Sequence, residues 1–289
     1  MDFLIVLGAV LFSASFWLWM IYKKDKFESE PLLFLLKVMF LGGLISVIPS
    51  GSLNELVVDK TATSPMVILW QYLFVGLNEE LWKLAATVYL INNHHHFDEP
   101  VDGLIYAATV ALGFAAIENI QYISQYGLNV LVTRHIMSVP GHIAFAMLWG
   151  YGLALAKFKY PERDWVMVVL PFYLLGSVLH GLYNFSLAVL PIVLNMLVAL
   201  TLVIMLYRHG TKNMARMLMH SPKRPAGHCT ICGTDNLEAS HCCHECGAEL
   251  QSWSGKEFAL LRRIKCKKCT AQNRLTAKFC VQCGTDLHK

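Results

Sequence analysis

Residues 1–208 consist almost entirely of apolar runs separated by short polar stretches. A helix that crosses a bilayer needs roughly 20 such residues. Seven runs reach that length, at roughly 3–22, 32–50, 65–92, 102–125, 130–157, 164–186 and 189–207. They commit this part of the chain to an all-α polytopic membrane fold of about seven transmembrane helices. Phe3 to Tyr22 is too long and too aromatic for a cleaved leader, and Asp2 stands where a positive flank belongs, so it is expected to remain as a membrane helix. Pro191 marks the turn between the last two runs. The fifth run is expected to break at Val139-Pro140-Gly141, because proline removes a backbone donor and glycine tolerates the bend.

Basic residues in the loops set the orientation. Lys23, Lys24 and Lys26 follow the first run, and Lys157, Lys159 and Arg163 follow the fifth. Arg208, Lys212, Arg216, Lys223 and Arg224 follow the seventh. With seven crossings these stretches share one face. The expected topology has the N-terminus outside and the C-terminal tail in the cytoplasm.

The third run, Pro65 to Asn92, carries Glu79, Glu80 and Lys83 near its middle. A charged side chain at the bilayer centre costs about 2.5–3.5 kcal/mol on insertion scales, so such residues are usually functional. Lys83 lies one helical turn beyond both glutamates and can pair with either. One lysine does not neutralise two carboxylates. The surplus must meet a metal, a proton or another cation. A purely structural role as the partner of Lys83 stays open for Glu80, whereas Glu79 and Glu118 have no such local partner.

Other ionisable groups interrupt later runs: Glu118 with Asn119, His142 after Pro140-Gly141, and His180 with Asn184 one turn on. Counting a rise of about 1.5 Å per residue from the expected cytoplasmic ends puts Glu79, Glu118, His142 and His180 at about 20–24 Å depth. They form one layer, nearer the outer face. Glutamates and histidines from four spans are the ligands of a zinc-type site or the partners of a water-activating site. His135, beside Arg134 near the outer end, reads as an interhelical hydrogen bond. Asn119 and Asn184 serve equally well as bridges between helices. Gly113 with Ala115 and Ala116, and Gly150 with Gly152, read as close helix packing.

These residues resemble a known family. Glu79-Glu80-Leu-Trp-Lys83 is similar to the EExxK motif of the PrsW family of intramembrane proteases, distant relatives of the CaaX prenyl endopeptidases. Asp102-Gly103-Leu-Ile-Tyr106, then Gly113-Phe-Ala-Ala-Ile-Glu118-Asn119, resembles its second block. Val139-Pro140-Gly141-His142 and His180-Gly-Leu-Tyr-Asn184 resemble its two histidine motifs. The resemblance covers roughly residues 65–186, in motif order. It implies hydrolysis of a peptide bond in a membrane-anchored protein, such as an anti-sigma factor, in a prokaryotic cell membrane. Two mechanisms fit. Without metal, Glu79 activates water with help from His142, and His180 and Asn184 stabilise the oxyanion. With zinc, His142, His180 and one of Glu79 or Glu118 are ligands, and the remaining glutamate is the base. Lys83 balances charge and orients Glu80 in both. The zinc reading is preferred, in a water-filled cavity opening outward.

All nine cysteines fall between Cys229 and Cys283. Cys229-x-x-Cys232 and Cys243-x-x-Cys246 are separated by ten residues; Cys266-x-x-Cys269 and Cys280-x-x-Cys283 repeat the spacing 37 residues on. Each set is the signature of a tetrahedral zinc site with four cysteine ligands, so the tail is expected to be a double zinc ribbon. Modules this small fold on metal. Cys242 is a spare thiol, with His241 and His244 the weaker alternative ligands. Disulfides are the lesser reading on the cytoplasmic side. The basic stretch Leu261 to Thr270, with Arg274 and Lys278, suits anionic lipid headgroups or a protein partner better than nucleic acid.

The expected layout is a transmembrane peptidase domain over 1–208, a basic linker over 209–226 and the ribbons over 227–289. The cofactor is zinc, at two ribbon sites and a third, catalytic one. Two competing functions remain: an ion or proton transporter, against which stands the lack of repeated or paired broken spans, and a non-catalytic scaffold that signals through its ribbons.

Overall fold

The computed structural model describes residues 3–25, 28–92, 94–218, 221, 229, 231–234, 246, 263–268 and 272–274. Helices α1 (Phe3–Tyr22), α2 (Leu32–Val57), α3 (Pro65–Ile91) and α4 (Asp102–Tyr126) come first. The fifth span is composite: α5 (Asn129–Thr133), a π-helical turn (Arg134–Ser138), α6 (Val139–Ala154) and a second π-helical turn (Leu155–Lys159). Helices α7 (Trp165–Val189) and α8 (Ile192–Leu218) complete the bundle, with Pro191 in the turn between them.

Six of these spans are long and apolar enough to cross a membrane. The seventh, α3, falls outside that set because of its own charges, yet it is as long as the others. The contacts at its C-terminal end show that it runs back along the bundle beside α2. Phe34 at the start of α2 stacks on His94 just past α3, and the α1–α2 loop residue Glu30 lies beside His96. The chain therefore leaves one face along α2 and returns along α3, and the two helices pack together. Lys157 reaches the Phe97 carbonyl, and Ser221 donates to Glu99, so the odd-numbered loops and the end of α8 gather on one face.

Helices α4 and α6 are the core. Every residue from Asp102 to Ala115 is buried, as is nearly all of α6. The outer helices turn apolar side chains such as Leu4, Phe12, Met167, Val193 and Leu197 outward, as a lipid-facing surface requires. Two pairs of glycines allow the close approaches that locate the site. A Cβ on Gly76 of α3 would collide with the Ser177 carbonyl and lie 2.6 Å from the Gly181 nitrogen of α7. A Cβ on Gly43 of α2 would lie 2.6 Å from the Gly113 carbonyl carbon of α4. A Cβ on Gly150 of α6 would lie 2.6 Å from the Ala107 Cβ of α4, so Gly113 and Gly150 are packing positions, as expected from sequence.

Three boundaries differ from the sequence reading. Helix α2 runs on to Val57 rather than ending near Ser50; the hydroxyls of Ser46, Ser50 and Ser52 are satisfied by carbonyls one turn back, and Asn54 in the added turns is tied to Asn78 and Glu79 of α3. The fifth span does not break at Pro140. The backbone donor lost there is absorbed by the preceding π turn, which closes with Val139 N–H on the Arg134 carbonyl. Residues 209–218, the start of the expected linker, are the last turns of α8; Met214, Met217 and Leu218 join the main core.

In the tail, β1 (Arg263–Lys265) and β2 (Gln272–Arg274) form an antiparallel hairpin around Cys266. Gly233 follows Cys232 with φ +78°, a left-handed turn that suits glycine. Its N–H donates to the Cys229 carbonyl at 2.8 Å, curling the chain into a knuckle. Cys242, Cys243, Cys269, Cys280, Cys283, His241, His244 and Lys278 lie outside the described residues.

Candidate active site

Five spans deliver polar side chains to one layer of the bundle. Helix α3 supplies Glu79, Glu80 and Lys83, on consecutive turns facing inward, all buried. Helix α4 supplies Glu118 and Asn119, the first π turn Arg134, α6 His142 and Trp149, and α7 His180. The extension of α2 supplies Asn54.

Each glutamate has a different set of partners. Glu80 is saturated. Its Oε1 takes Lys83 Nζ at 2.8 Å and His180 Nδ1 at 2.9 Å, and its Oε2 takes the Trp149 indole N–H at 2.8 Å. Glu118 meets a second cation: Arg134 Nη2 at 2.5 Å, with the Arg134 Nε–H on Asn119. The same Glu118 oxygen lies 3.1 Å from His142 Nε2. The π turn makes this possible, since it lets Arg134 and His142, on successive parts of one span, converge on one carboxylate. Glu79 is left over. Its Oε1 accepts Asn54 Nδ2 at 3.0 Å, and Asn78 braces that amide from the other side at 2.8 Å. Its Oε2 is buried with no hydrogen-bond partner among the described residues, 3.7 Å from both Lys83 Nζ and His180 Nε2. Three carboxylates thus face two cations, and the unmatched charge lies at Glu79.

The histidines are held from behind. His180 stacks on Phe145, with centroids 4.9 Å apart, and stands perpendicular to His142 at 5.0 Å. With His180 Nδ1 tied to Glu80, its Nε2 faces Glu79. Lys83 lies 3.0 Å from His142 Nδ1 and over the Phe114 ring at 4.0 Å. Glu79, His142 and His180 each bring a donor atom within 4.8 Å of the others. Two ligands about 2.0–2.1 Å from a tetrahedral zinc stand about 3.3 Å apart. The 3.7 Å between His180 Nε2 and Glu79 Oε2 is near that edge, and the unpartnered buried oxygen needs a cation. The carboxylate behind His180 is the usual outer support of a metal-binding imidazole. Glu79 and His180 fit the ion as they stand; His142, whose Nδ1 meets Lys83 and whose Nε2 meets Glu118, joins them by giving up one of those contacts. Glu118 and Arg134 are the more accessible members of the site, with side chains 18% and 13% exposed against 6% for Glu79.

Residues 30–208 match the model of the PrsW family of intramembrane metalloproteases. The chain belongs to this family. It is an intramembrane protease and a multi-pass membrane protein. Residues 229–284 match a double zinc ribbon. A protease PrsW from Geobacillus kaustophilus is 35% identical over 57% of this chain and 72% of its own length. That of Oceanobacillus iheyensis is 31% identical, over 65% and 86%. That of Clostridioides difficile is 30% identical, over 72% and 88%. No solved structure matches.

Within this PrsW domain the sequence-derived set separates. Glu79, Glu80, Glu118, His142 and His180 come together in one layer. Asn184, one turn beyond His180, is half-buried and has no polar partner among the described residues. Asp102 and Tyr106 hold the α3–α4 loop at the far end of α4. Asp102 accepts the backbone N–H groups of Asp98 and Glu99 at 3.1 and 2.6 Å, and Tyr106 donates to the His96 carbonyl at 3.2 Å. His135 makes the interhelical bond expected of it, to Ser13 at 2.6 Å. Sequence reasoning missed Asn54, Asn78, Trp149 and the pairing of Arg134. For Arg134 a signal existed: a surplus carboxylate in one span and a lone arginine at the head of another.

In the ribbons, Cys229, Cys232 and Cys246 bring their sulfurs within 4.8 Å of one another, with Cys229 and Cys246 at 3.6 Å. That is three corners of the first expected zinc site. Cys266 is buried, and its sulfur accepts the Lys268 N–H at 3.4 Å.

Proposed function

We propose that Glu79, His142 and His180 hold a catalytic zinc, and that Glu118 is the general base of peptide-bond hydrolysis in a membrane-anchored protein. The observation that carries this is the unpartnered, buried Glu79 oxygen beside two imidazoles. Zinc bound there would act as a Lewis acid and bring the pKa of water to about 7. The chain's own residues do the rest. Glu118, the most accessible of the three carboxylates, takes a proton from the attacking water and returns it to the departing amide nitrogen. Arg134 and Asn119 hold Glu118 in place for both transfers. Glu80, with both oxygens occupied, is a positioning residue: it fixes the His180 ring and anchors Lys83. Asn54 orients Glu79. Asn184 is kept as a donor to the substrate carbonyl, from its place one turn beyond His180.

The second mechanism, with Glu79 as base and no metal, is separated by one comparison. Purified protein in proteoliposomes is assayed on single-span substrates, with zinc counted per chain. Glu79→Gln is expected to lose one zinc and the activity, and Glu118→Gln to keep its zinc but lose about 100-fold or more in kcat. Unchanged zinc in Glu79→Gln, with cleavage resistant to chelators, would point to the metal-free route. Wild-type cleavage in both variants would remove this site from the chemistry.

The basic loops support an orientation with the ribbons in the cytoplasm and the N-terminus outside, in a prokaryotic cell membrane. The ribbons would carry one zinc each, with Cys243 completing the first and Cys266, Cys269, Cys280 and Cys283 forming the second. Their basic stretch suits docking on anionic headgroups or on a protein partner.

A further inference from the structure

The α3–α4 loop carries three consecutive imidazoles that proteolysis does not use, His94, His95 and His96. Each brings a ring nitrogen within 4.8 Å of the others. The loop holds them in that arrangement. His94 stacks on Phe34, with centroids 4.0 Å apart and 19° between planes. Its Nδ1 accepts the His96 backbone N–H at 3.3 Å, which leaves Nε2 available. Glu30 reaches the cluster from the α1–α2 loop. It is 5% exposed, and its Oε2 has no hydrogen-bond partner among the described residues. That oxygen lies 3.7 Å from His96 Nδ1. The gap is too long for a hydrogen bond but close to the roughly 3.3 Å edge between two ligands of one tetrahedral ion.

Other buried carboxyls lie at the same end. Asp25 and Asp102 are buried at the same end of the bundle, each with one oxygen unpartnered among the described residues. Lys157, which comes to this end from the second π turn, donates to the Phe97 carbonyl and lies over the Phe97 ring. Buried carboxylates without compensation are costly. Three imidazoles and one carboxylate are a donor set that zinc and nickel both accept.

We propose that His94, His95, His96 and Glu30 form a second membrane-domain site for a divalent transition-metal ion of zinc or nickel type. The ion clamps the α1–α2 loop to the α3–α4 loop, at the root of the helix that carries Glu79 and Glu80. It is separate from the peptidase site, whose Glu79 and Glu80 lie near the middle of that helix.

The test uses full-length protein in detergent, purified without an oligohistidine tag and treated with a mild chelator. Nickel uptake is measured for the wild type, His95→Gln/His96→Gln and Glu30→Gln. The same substitutions are repeated in a Glu79→Gln background, which takes the peptidase site out of the comparison. The expected result is one nickel ion per chain fewer in the double-histidine variant, in both backgrounds. Affinity for that ion is expected to fall about tenfold or more in Glu30→Gln. His95 is exposed, and an unchanged thermal unfolding midpoint of the metal-free protein in detergent reports that the membrane domain of the variants stays folded. Equal nickel uptake and affinity in the wild type and the double-histidine variant would overturn the proposal.

Discussion

Replacing Lys83 by Met tests whether the charge arrangement of the site is also what holds the helices together. Lys83 is fully buried, 2.8 Å from Glu80 and 3.7 Å from Glu79. At an effective dielectric of 20, a pair at that shorter distance attracts by about 6 kcal/mol before desolvation is counted. Much of this is offset by the loss of water around both ions. What remains is the asymmetry of removal: an orphaned buried charge typically costs about 3–5 kcal/mol. In the variant, Glu80 keeps only its bonds to His180 and Trp149. In a domain of this size the expected fall in Tm is about 6–20 °C, read by thermal unfolding in a mild detergent. Glu80→Gln in the same chain removes the stranded charge. The double variant should then be more stable than the two single losses predict, by about 1–3 kcal/mol. Additivity within about 0.5 kcal/mol would refute the coupling and reduce Lys83 to a packing residue.

Four further outcomes follow from the geometry. Arg134→Gln frees Glu118 from its cation while leaving Glu79, His142 and His180 untouched; kcat/KM should fall about 10–100-fold with zinc content unchanged, and wild-type turnover would contradict the role given to Arg134. Gly181→Ala puts a Cβ 2.7 Å from the Tyr72 carbonyl and 2.8 Å from Leu73 Cα, so α3 and α7 must separate; a loss of about 1–3 kcal/mol is expected, with activity down about 100-fold as His180 shifts from Glu80, whereas Gly8→Ala, which meets nothing within 4 Å, should be silent. Asp25 lies in the α1–α2 loop, where burial first, and the charge of Glu99 second, push its carboxyl up to about 7; the folded form then binds the proton more tightly than the unfolded chain, so stability is full below about pH 4 and is lost as pH rises through 7, and the Tm difference between pH 5.5 and pH 8 should shrink in Asp25→Asn. Cys229→Ser should lower zinc by one ion per chain, counted by atomic emission, while cleavage in proteoliposomes continues.

The sequence by itself determined the number and limits of most spans, the presence of acids and imidazoles within them, and the two CxxC-x10-CxxC zinc signatures. These are one-dimensional constraints: the thickness of a bilayer sets the length of a run, and a tetrahedral ion sets the spacing of its cysteines. The chain also announced that the third span carried more negative charge than Lys83 could match. Only the tertiary structure decided where that charge goes. Arg134 serves Glu118, Lys83 and Trp149 serve Glu80, and Glu79 is left with an open oxygen. The helix ends that polar residues blur, at Asn54 and at Leu218, were likewise decided by what they pack against. The physical reason is rotation. Which side chain faces which depends on how each helix turns about its axis and how closely it crosses its neighbour, and here that follows from backbone contacts such as Gly76 on Gly181, made between residues far apart in the chain.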